Sequence, residues 1–459
     1  MIILGTNSIK ETGYDVANSC RFNSGDSAVL KRTHGTPTNA KKFVWSAWIK
    51  RSKLGADQYF VQNYTDGSNL SMAYFRSGDD IRIFDRHGTG DGTDTVWISD
   101  AKFRDTSAWM HFLLKVDTTQ STDSDRFQVY INGSLATGNG ITYPALNADM
   151  NWTAASASNR HSIAATSDGY NYVGGYLCEV VLVDGTSPAH TDFGEFDSDS
   201  GIWKPINVSG LTFGNNGYYL DFADSGDLGD DESGNGNDFT ETNLAATDQS
   251  TDTCTNNFCT WNPIANYTNS VAFSEGNLVA MSGTNDQWDS GRATMGFSKG
   301  KWYFECLFVA GVSTQYIGVV DESCKMNVAN AHNENGTTIY YNNGGGEIRK
   351  DGSFTSADYG TFSSSEVAGI AIDADNFTIS VYKGGSAIVS AYALSTTRTG
   401  FLFPMTTLLN NGDGVKVNFG SPPYSESGGN TDANGYGNFN QSVPSGYFAI
   451  NTKNLAEYG

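Results

Sequence analysis

The sequence predicts an all-β protein made of two antiparallel β-sandwiches in tandem, and three observations carry that prediction. The chain has 459 residues, too many for one hydrophobic core and enough for two domains with connectors. Aromatic residues make up 13% of it, with 23 Tyr and 26 Phe, and 52 Gly are spread among them. Aromatic and β-branched side chains suit a pleated, half-buried surface, while Gly, Asn and Asp supply the positive φ angles of tight hairpins. Short apolar runs recur between turn clusters, and few segments show the i, i+3, i+4 spacing of an amphipathic helix.

The first domain, 1–204, is a run of short strands. Phe43–Ile49 alternates large and small groups and closes on Lys50 and Arg51; Ile81–Phe84 follows the turn cluster Ser77–Asp80; Trp109–Asp117 is a longer strand. Arg126–Ile131 runs into Asn132–Gly133, the strongest short hairpin signal, and Tyr176–Val183 runs into Asp184–Gly185, a second one. Residues 205–270 read as a connector, with one strand at Gly217–Phe222 and an acidic, Gly-rich segment at Ala223–Asp238. The second domain, 271–424, offers strands at Lys301–Cys306, Tyr316–Val320, Val367–Asp373 and Thr378–Lys383, with a glycine turn inside Tyr340–Ile348. Residues 425–459 form a Gly/Asn-rich tail without heptads.

Charge narrows the partners. A formal net charge of −22, from 50 acidic against 28 basic residues, repels polyanions, so nucleic-acid binding is not expected. Only 17% of residues are charged, which leaves a surface of hydroxyls and amides suited to neutral polymers such as glycans. The start, Met1–Asp15, lacks the apolar core and basic flank of a secretory signal. No stretch approaches the ~18 apolar residues of a membrane helix, so no membrane insertion is expected. The six cysteines are few for this length. Cys254 and Cys259 have no His beside them, unlike a zinc site, and Cys20 and Cys178 are placed to face each other across neighbouring strands. Reduced, packed thiols are the default for all six.

Two resemblances add to this reading. The strands WSAWIKR (Trp45–Arg51) and WMHFLLKVD (Trp109–Asp117), the hairpin FQVYINGSL (Phe127–Leu135) and the closing strand GGYLCEVVLVDG (Gly174–Gly185) resemble the laminin G-like branch of the concanavalin A-like lectin/glucanase sandwiches. In that family the closing strand usually carries an acidic residue where Cys178 or Glu179 stands. Further on, GKWYFE (Gly300–Glu305), IGVV (Ile317–Val320), VAGIAIDADNFTISVYKGG (Val367–Gly385) and VKVNFG (Val415–Gly420) resemble a SPRY domain in content and order. This resemblance implies a second concanavalin A-like sandwich that binds partners through loops and is not an enzyme.

Together with the linker FGEFDSDSGIWKP (Phe193–Pro205) and the connector from Tyr218 to Pro263, the pair is similar to marine bacteriophage structural proteins described as lectin-like or tail-fibre-like. The likeness implies display on a virion surface, reached by lysis rather than export. It also implies other virion proteins and host-surface polysaccharide as partners, and a homo-oligomer with a trimer favoured. A capsid decoration or head-fibre protein is the alternative within that class. From other classes stand a polysaccharide depolymerase and a host-cell protein using SPRY for protein partners.

The candidate sites are few. Glycosidases pair two carboxylates about 5–9.5 Å apart, depending on mechanism. The sandwich glucanases place theirs on one strand as E-x-D-x-x-E. The nearest string has Glu195 and Asp197 but Ser200 in place of the second Glu, and Gly194 and Gly201 mark it as a turn. No enzyme is expected, and His111 reads as a packed residue rather than a base. Asp224, Asp227, Asp230 and Asp231, with Asp238, gather oxygen ligands in a Gly-rich loop, which makes calcium the one candidate ion and no other cofactor expected. The competing reading is a solvated turn region using Asp for its geometry. Trp97, Trp152, Tyr170, Tyr172 and Trp288 lie in polar, loop-like surroundings and are the candidate sugar platforms, whereas Trp45, Trp48, Trp109 and Trp302 fall inside strand patterns and read as core.

Overall fold

The computed structural model describes residues 13–86, 88, 94–266, 271–283, 287–309, 314–326, 328, 330–342, 345–355, 357–395, 400–426 and 428–459. The glycine turn expected inside Tyr340–Ile348 falls partly outside them. The chain divides into two compact units, Glu11–Thr255 and one built on Asn256–Gly459. Each is an antiparallel β-sandwich, as the sequence predicts.

In the first unit one sheet runs Ser134–Leu135, Phe127–Ile131, Met110–Asp117, Lys42–Arg51, Gly175–Asp184, Ser19–Phe22, Gln249–Ser250, with Tyr218–Leu220 also paired to Gly175–Asp184. The other runs Gly138–Thr142, Thr95–Ser99, Ile81–Arg86, Asn69–Phe75, Gln58–Asp66, His161–Ile163, Val29–Arg32, Thr240–Thr242. Period-two alternation assigns the faces. Phe43, Trp45, Ala47 and Ile49 point inward to meet Phe60, Phe75, Ile83 and Trp97 in the core, while Val44 and Trp48 belong to clusters on the outer side of the first sheet. The Asn132–Gly133 turn has φ of 48° and 73°, as a two-residue type I′ hairpin requires. A bulge follows Cys178: Glu179 and Val180 together oppose Ala47, and Glu179 takes φ of 51°.

The second unit pairs a sheet ordered Trp261–Asn266, Asp289–Ala293, Leu402–Leu408, Gln315–Asp321, Thr337–Tyr341, Glu347–Lys350, Ser353–Phe354 with one ordered Val271–Ser274, Val279–Ser282, Gly414–Asn418, Lys301–Phe308, Val367–Asp373, Thr378–Lys383, Ser386–Ala393. Trp302, Phe304, Ile317, Ile370, Ile372, Val415 and Val417 fill the space between.

Three expectations change. Asp184–Gly185 is not a hairpin: the Asp184 carboxylate instead accepts the backbone N–H groups of Thr38 at 2.8 Å and Asn216 at 3.1 Å, joining two distant loops. The connector 205–270, with its one expected strand at Gly217–Phe222, carries further short strands. Tyr218–Leu220, Thr240–Thr242 and Gln249–Ser250 are strands of the first sandwich, and Trp261–Asn266 belongs to the second. Bare strand edges are thereby occupied by the chain that follows them. The tail 425–459 is likewise built in: Phe448–Ala449 pairs in parallel with Lys301–Phe308, and Asn451 caps the helix Thr452–Tyr458 through its side chain to Asn454 N–H at 2.9 Å.

Candidate ligand-binding face

The aromatic candidates separate by burial. Trp97 is 3% exposed and Trp152 1%, with Trp152 stacked on Phe43 at 5.6 Å; both are core residues and not platforms. Trp97 sits in Thr95–Ser99 with its ring inward while Val96 and Ile98 face out half-buried. Trp288, in the second unit, is half-buried, 4.0 Å from the His332 ring and 5.6 Å from Tyr316. Tyr170 is 68% exposed at the tip of a tight loop closed by the Thr166 N–H to Tyr170 carbonyl bond of 2.9 Å, and Tyr172 beside it is half-buried.

The acidic loop spends its oxygens on itself. Asp231 Oδ1 accepts the Tyr219 and Ser233 N–H groups, both at 2.9 Å, and Oδ2 accepts the Ser233 hydroxyl at 2.7 Å and Asn237 N–H at 2.8 Å. Asp224 caps Gly226, and Asp227 caps Gly229. Partial burial and the neighbouring carboxylates of Asp238, Asp227 and Asp224 push the Asp230 carboxyl up. Among the described residues no three His, Cys, Asp or Glu are disposed to hold an ion.

The glucanase-like string is a hairpin. Gly194–Phe196 pairs with Trp203–Pro205, and Asp197 Oδ1 accepts Ser200 N–H at 2.9 Å and the Ser200 hydroxyl at 2.7 Å, closing the turn; Lys204 lies 3.2 Å from Glu195. His111 is 1% exposed. It accepts Trp203 Nε1–H at Nδ1 (3.1 Å), which leaves Nε2–H facing Ser46 Oγ at 2.8 Å, and burial pushes the ring down to about 3.

The two sheets of the first unit have opposite outer surfaces. On the first sheet, Val44, Leu113, Val181 and Val183 are covered by Phe193, Val208, Phe213 and Tyr219, and Trp48 and Cys178 by Val16 and Trp203. The sheet is also pinned by the Lys50–Asp252 ion pair at 2.6 Å, both side chains 2% exposed or less. Beneath that cover Glu179 faces the hydroxyls of Tyr219 at 2.9 Å and Tyr14 at 3.3 Å, and burial pushes its carboxyl up to about 7.

The second sheet carries registered rows of aromatic, apolar and guanidinium groups on its outer side. One cross-strand row is Tyr59, Tyr74, Arg82 and Ile98; the next is Gln62, Met72, Phe84 and Val96; Leu70 and Arg86 begin a third. Tyr59 and Tyr74 stack at 4.3 Å and 6°. Phe84 lies between two guanidinium groups, Arg82 at 5.0 Å and Arg86 at 5.2 Å from its ring. Arg82 donates to the Tyr74 hydroxyl at 3.3 Å, and among the described residues it has no acidic partner. The loop bearing Tyr170 borders this face: Tyr59 N–H donates to Asn171 O at 2.9 Å, and Ser167 N–H to Gln62 Oε1 at 2.7 Å. Tyr59, Met72, Arg82, Arg86, Val96 and Ile98 are all half-buried, reachable from solvent without being loose. Flat rings and planar guanidinium groups on one rigid sheet can stack against sugar C–H surfaces and donate to sugar oxygens. Sequence reasoning passed over these residues. The signal was available in Ile81–Arg86, where Ile81, Ile83 and Asp85 alternate with Arg82, Phe84 and Arg86.

Comparison with known proteins follows the same division. Residues 23–189 match the family profile of the concanavalin A-like lectin/glucanases superfamily, in its laminin G form. Residues 301–422 match the SPRY domain. Each match falls inside one unit. No curated protein matches the chain. Among solved structures, the chain is similar to the SPRY domain of human HERC1, at 16% identity over 34% of this chain and 96% of that one, with a TM-score of 0.29. It is similar to a Bacteroides ovatus ATCC 8483 protein proposed to bind carbohydrate, at 14% identity over 50% of this chain and 61% of that one, TM-score 0.34. A heptameric SAP-like pentraxin from Limulus polyphemus matches at 12% identity over 38% of this chain and 80% of that one, TM-score 0.27.

Proposed function

We propose that this is a non-enzymatic virion surface protein, a fibre or adhesin, whose first sandwich binds host-surface glycan on the outer face of its second sheet. The observation that carries the reading is the contrast between the two outer faces. The chain covers one with its own apolar residues and leaves on the other Tyr59, Met72, Arg82 and Arg86 in registered rows, bordered by Tyr170. The concanavalin A-like lectin match over 23–189 supports a binding role. The virion part is supported by the order of sandwich, linker, connector and SPRY elements, which is similar to that of marine bacteriophage structural proteins. The closed Asp197–Ser200 turn and the neutral, buried His111 favour binding over hydrolysis. Among the described residues no helix is long and apolar enough to cross a membrane.

The test has two arms. Immobilised host capsular and O-chain polysaccharides should retain the wild-type chain and retain Tyr59→Ala and Arg82→Ala at least tenfold less, with no reducing sugar released; retention unchanged in both variants removes this face from the reading. Immunogold on purified particles should label tails or fibres. Label over the head assigns the chain to capsid decoration, and label on no particle sinks the virion reading.

A further inference from the structure

Cys178 and Cys254, 76 positions apart in sequence, bring their sulfur atoms to 3.7 Å. The sequence pointed instead to Cys20 opposite Cys178. Cys20 does lie on the strand beside Gly175–Asp184, but its register partner is Leu177, and one residue of offset turns a side chain to the other face of the sheet. Cys20 therefore packs in the core while Cys178 faces outward under the covering segment, where Cys254 meets it.

Both cysteines are held there by their neighbours. Cys178 is fully buried beside Trp48 and Trp203, on a strand paired along its length. Cys254 belongs to a short segment fixed on both sides: Asp252 by Lys50 at 2.6 Å and Trp109 Nε1–H at 3.0 Å, Thr255 by Val16 N–H at 3.1 Å. A disulfide needs its sulfurs at about 2.05 Å, a closure of roughly 1.7 Å from the observed separation. None of the six cysteines is joined in a disulfide in the structure, and Cys254 is half-buried where the other five are buried.

We propose that Cys178 and Cys254 are a latent disulfide, kept as two thiols in a reducing cytosol and joined when the protein meets a small-molecule disulfide outside it. The Cys254 thiolate attacks one sulfur of the reagent; that S–S bond breaks, one reagent thiol leaves, and a mixed disulfide forms at Cys254. The Cys178 thiol then attacks the Cys254 sulfur and expels the second reagent thiol. Two protein thiols are oxidised to one disulfide, the reagent is reduced to two thiols, and the two protons end on them. Burial pushes the Cys254 thiol well above its ordinary range, so the reaction is slow at neutral pH and quickens with alkalinity. The bond would fasten the covering segment to the strand beneath it and close a long loop, which stabilises chiefly by restricting the unfolded chain. This inference stands independently of the glycan reading.

The test uses the full chain purified under reductant, then equilibrated with oxidised glutathione at pH 8.5, alkylated in denaturant and mapped by mass spectrometry. The expected result is one cross-linked peptide pair containing Cys178 and Cys254, with Cys20, Cys259, Cys306 and Cys324 alkylated. The oxidised chain should melt about 5–10 °C higher than the reduced one, and Cys254→Ser should show neither the cross-link nor the rise. Recovery of Cys178 and Cys254 as alkylated thiols, a stable glutathione adduct on Cys254, a different pairing, or a cross-link without a rise in melting temperature would each overturn the proposal.

Discussion

The Tyr219 hydroxyl lies 2.9 and 3.0 Å from the two carboxylate oxygens of Glu179 beneath the cover of the first sandwich. Burial pushes that carboxyl up to about 7, and it does the same to Glu305 in the second unit, whose oxygens accept Asn440 and Gln441 N–H at 2.8 Å. An unfolded glutamate titrates near ~4.3, so between there and 7 the folded chain binds the extra proton. The contribution is full below ~4.3 and is lost as pH rises through 7. Glu179→Gln, which cannot ionise, should therefore gain on wild type by up to about 3 kcal/mol between pH 4.5 and 8 in urea denaturation. Neutral buried histidines such as His111, held at about 3, act with the opposite sign as pH falls below their unfolded value, but they cancel in this difference. A gap between the two proteins that does not change with pH would be falsifying.

Trp97 and Tyr170 should part company under truncation. Trp97→Ala empties a site inside the core and should cost about 3–5 kcal/mol, read from the denaturant midpoint. Tyr170→Ala removes an exposed ring and should stay within about 0.5 kcal/mol. Equal effects would mean that the burial contrast between them is not real.

The Lys50–Asp252 pair is enclosed, with side chains 1% and 2% exposed. Asp252→Ala takes a carboxylate away from a buried ammonium group and should cost about 3–5 kcal/mol, whereas Lys50→Met with Asp252→Leu should recover much of that loss. A double variant no more stable than Asp252→Ala argues that Asp252 acts through its other contacts, among them Trp109 Nε1–H at 3.0 Å.

Calcium should leave the first unit unmoved. Asp231 already serves four donors, three from its own loop and one from the strand Tyr218–Leu220, and a cation would have to break them. Melting curves in millimolar calcium and in EGTA should agree within about 1 °C, since a ligand stabilises only in proportion to its binding. A rise of several degrees with calcium would show that the loop rearranges into a site.

The sequence made the long strands plain because each spans enough residues to show its period: Phe43–Ile49 and Val367–Asp373 lie within observed strands, and the strand expected at Trp109–Asp117 is observed from Met110 to Asp117. Tyr218–Leu220 lies inside the strand expected at Gly217–Phe222, but strands as short as Thr240–Thr242 and Gln249–Ser250 cannot display alternation, so the rest of their segment read as linker. Trp97 was misplaced because its strand is inverted, with Thr95, Trp97 and Ser99 inward and Val96 and Ile98 outward; local polarity gave the wrong face. The candidate face stayed hidden for a related reason. Tyr59, Tyr74 and Arg82 are neighbours only through cross-strand register, which no single segment records.

The covering of the first sheet has a consequence for where this chain can be cut. Ser19–Phe22, the first strand of its unit, pairs with Gln249–Ser250, so the sheet edge stays open until most of the unit has been synthesised. A fragment ended at residue 189, where the family match stops, would lack Trp203, Phe213, Tyr219 and Asp252. It would present Val44, Leu113 and Val181 to solvent as a flat apolar surface, beside a Lys50 ammonium that has lost the Asp252 carboxylate. Such a fragment would come out of the cell as aggregate, and the same sandwich carried on to Thr255 as soluble protein.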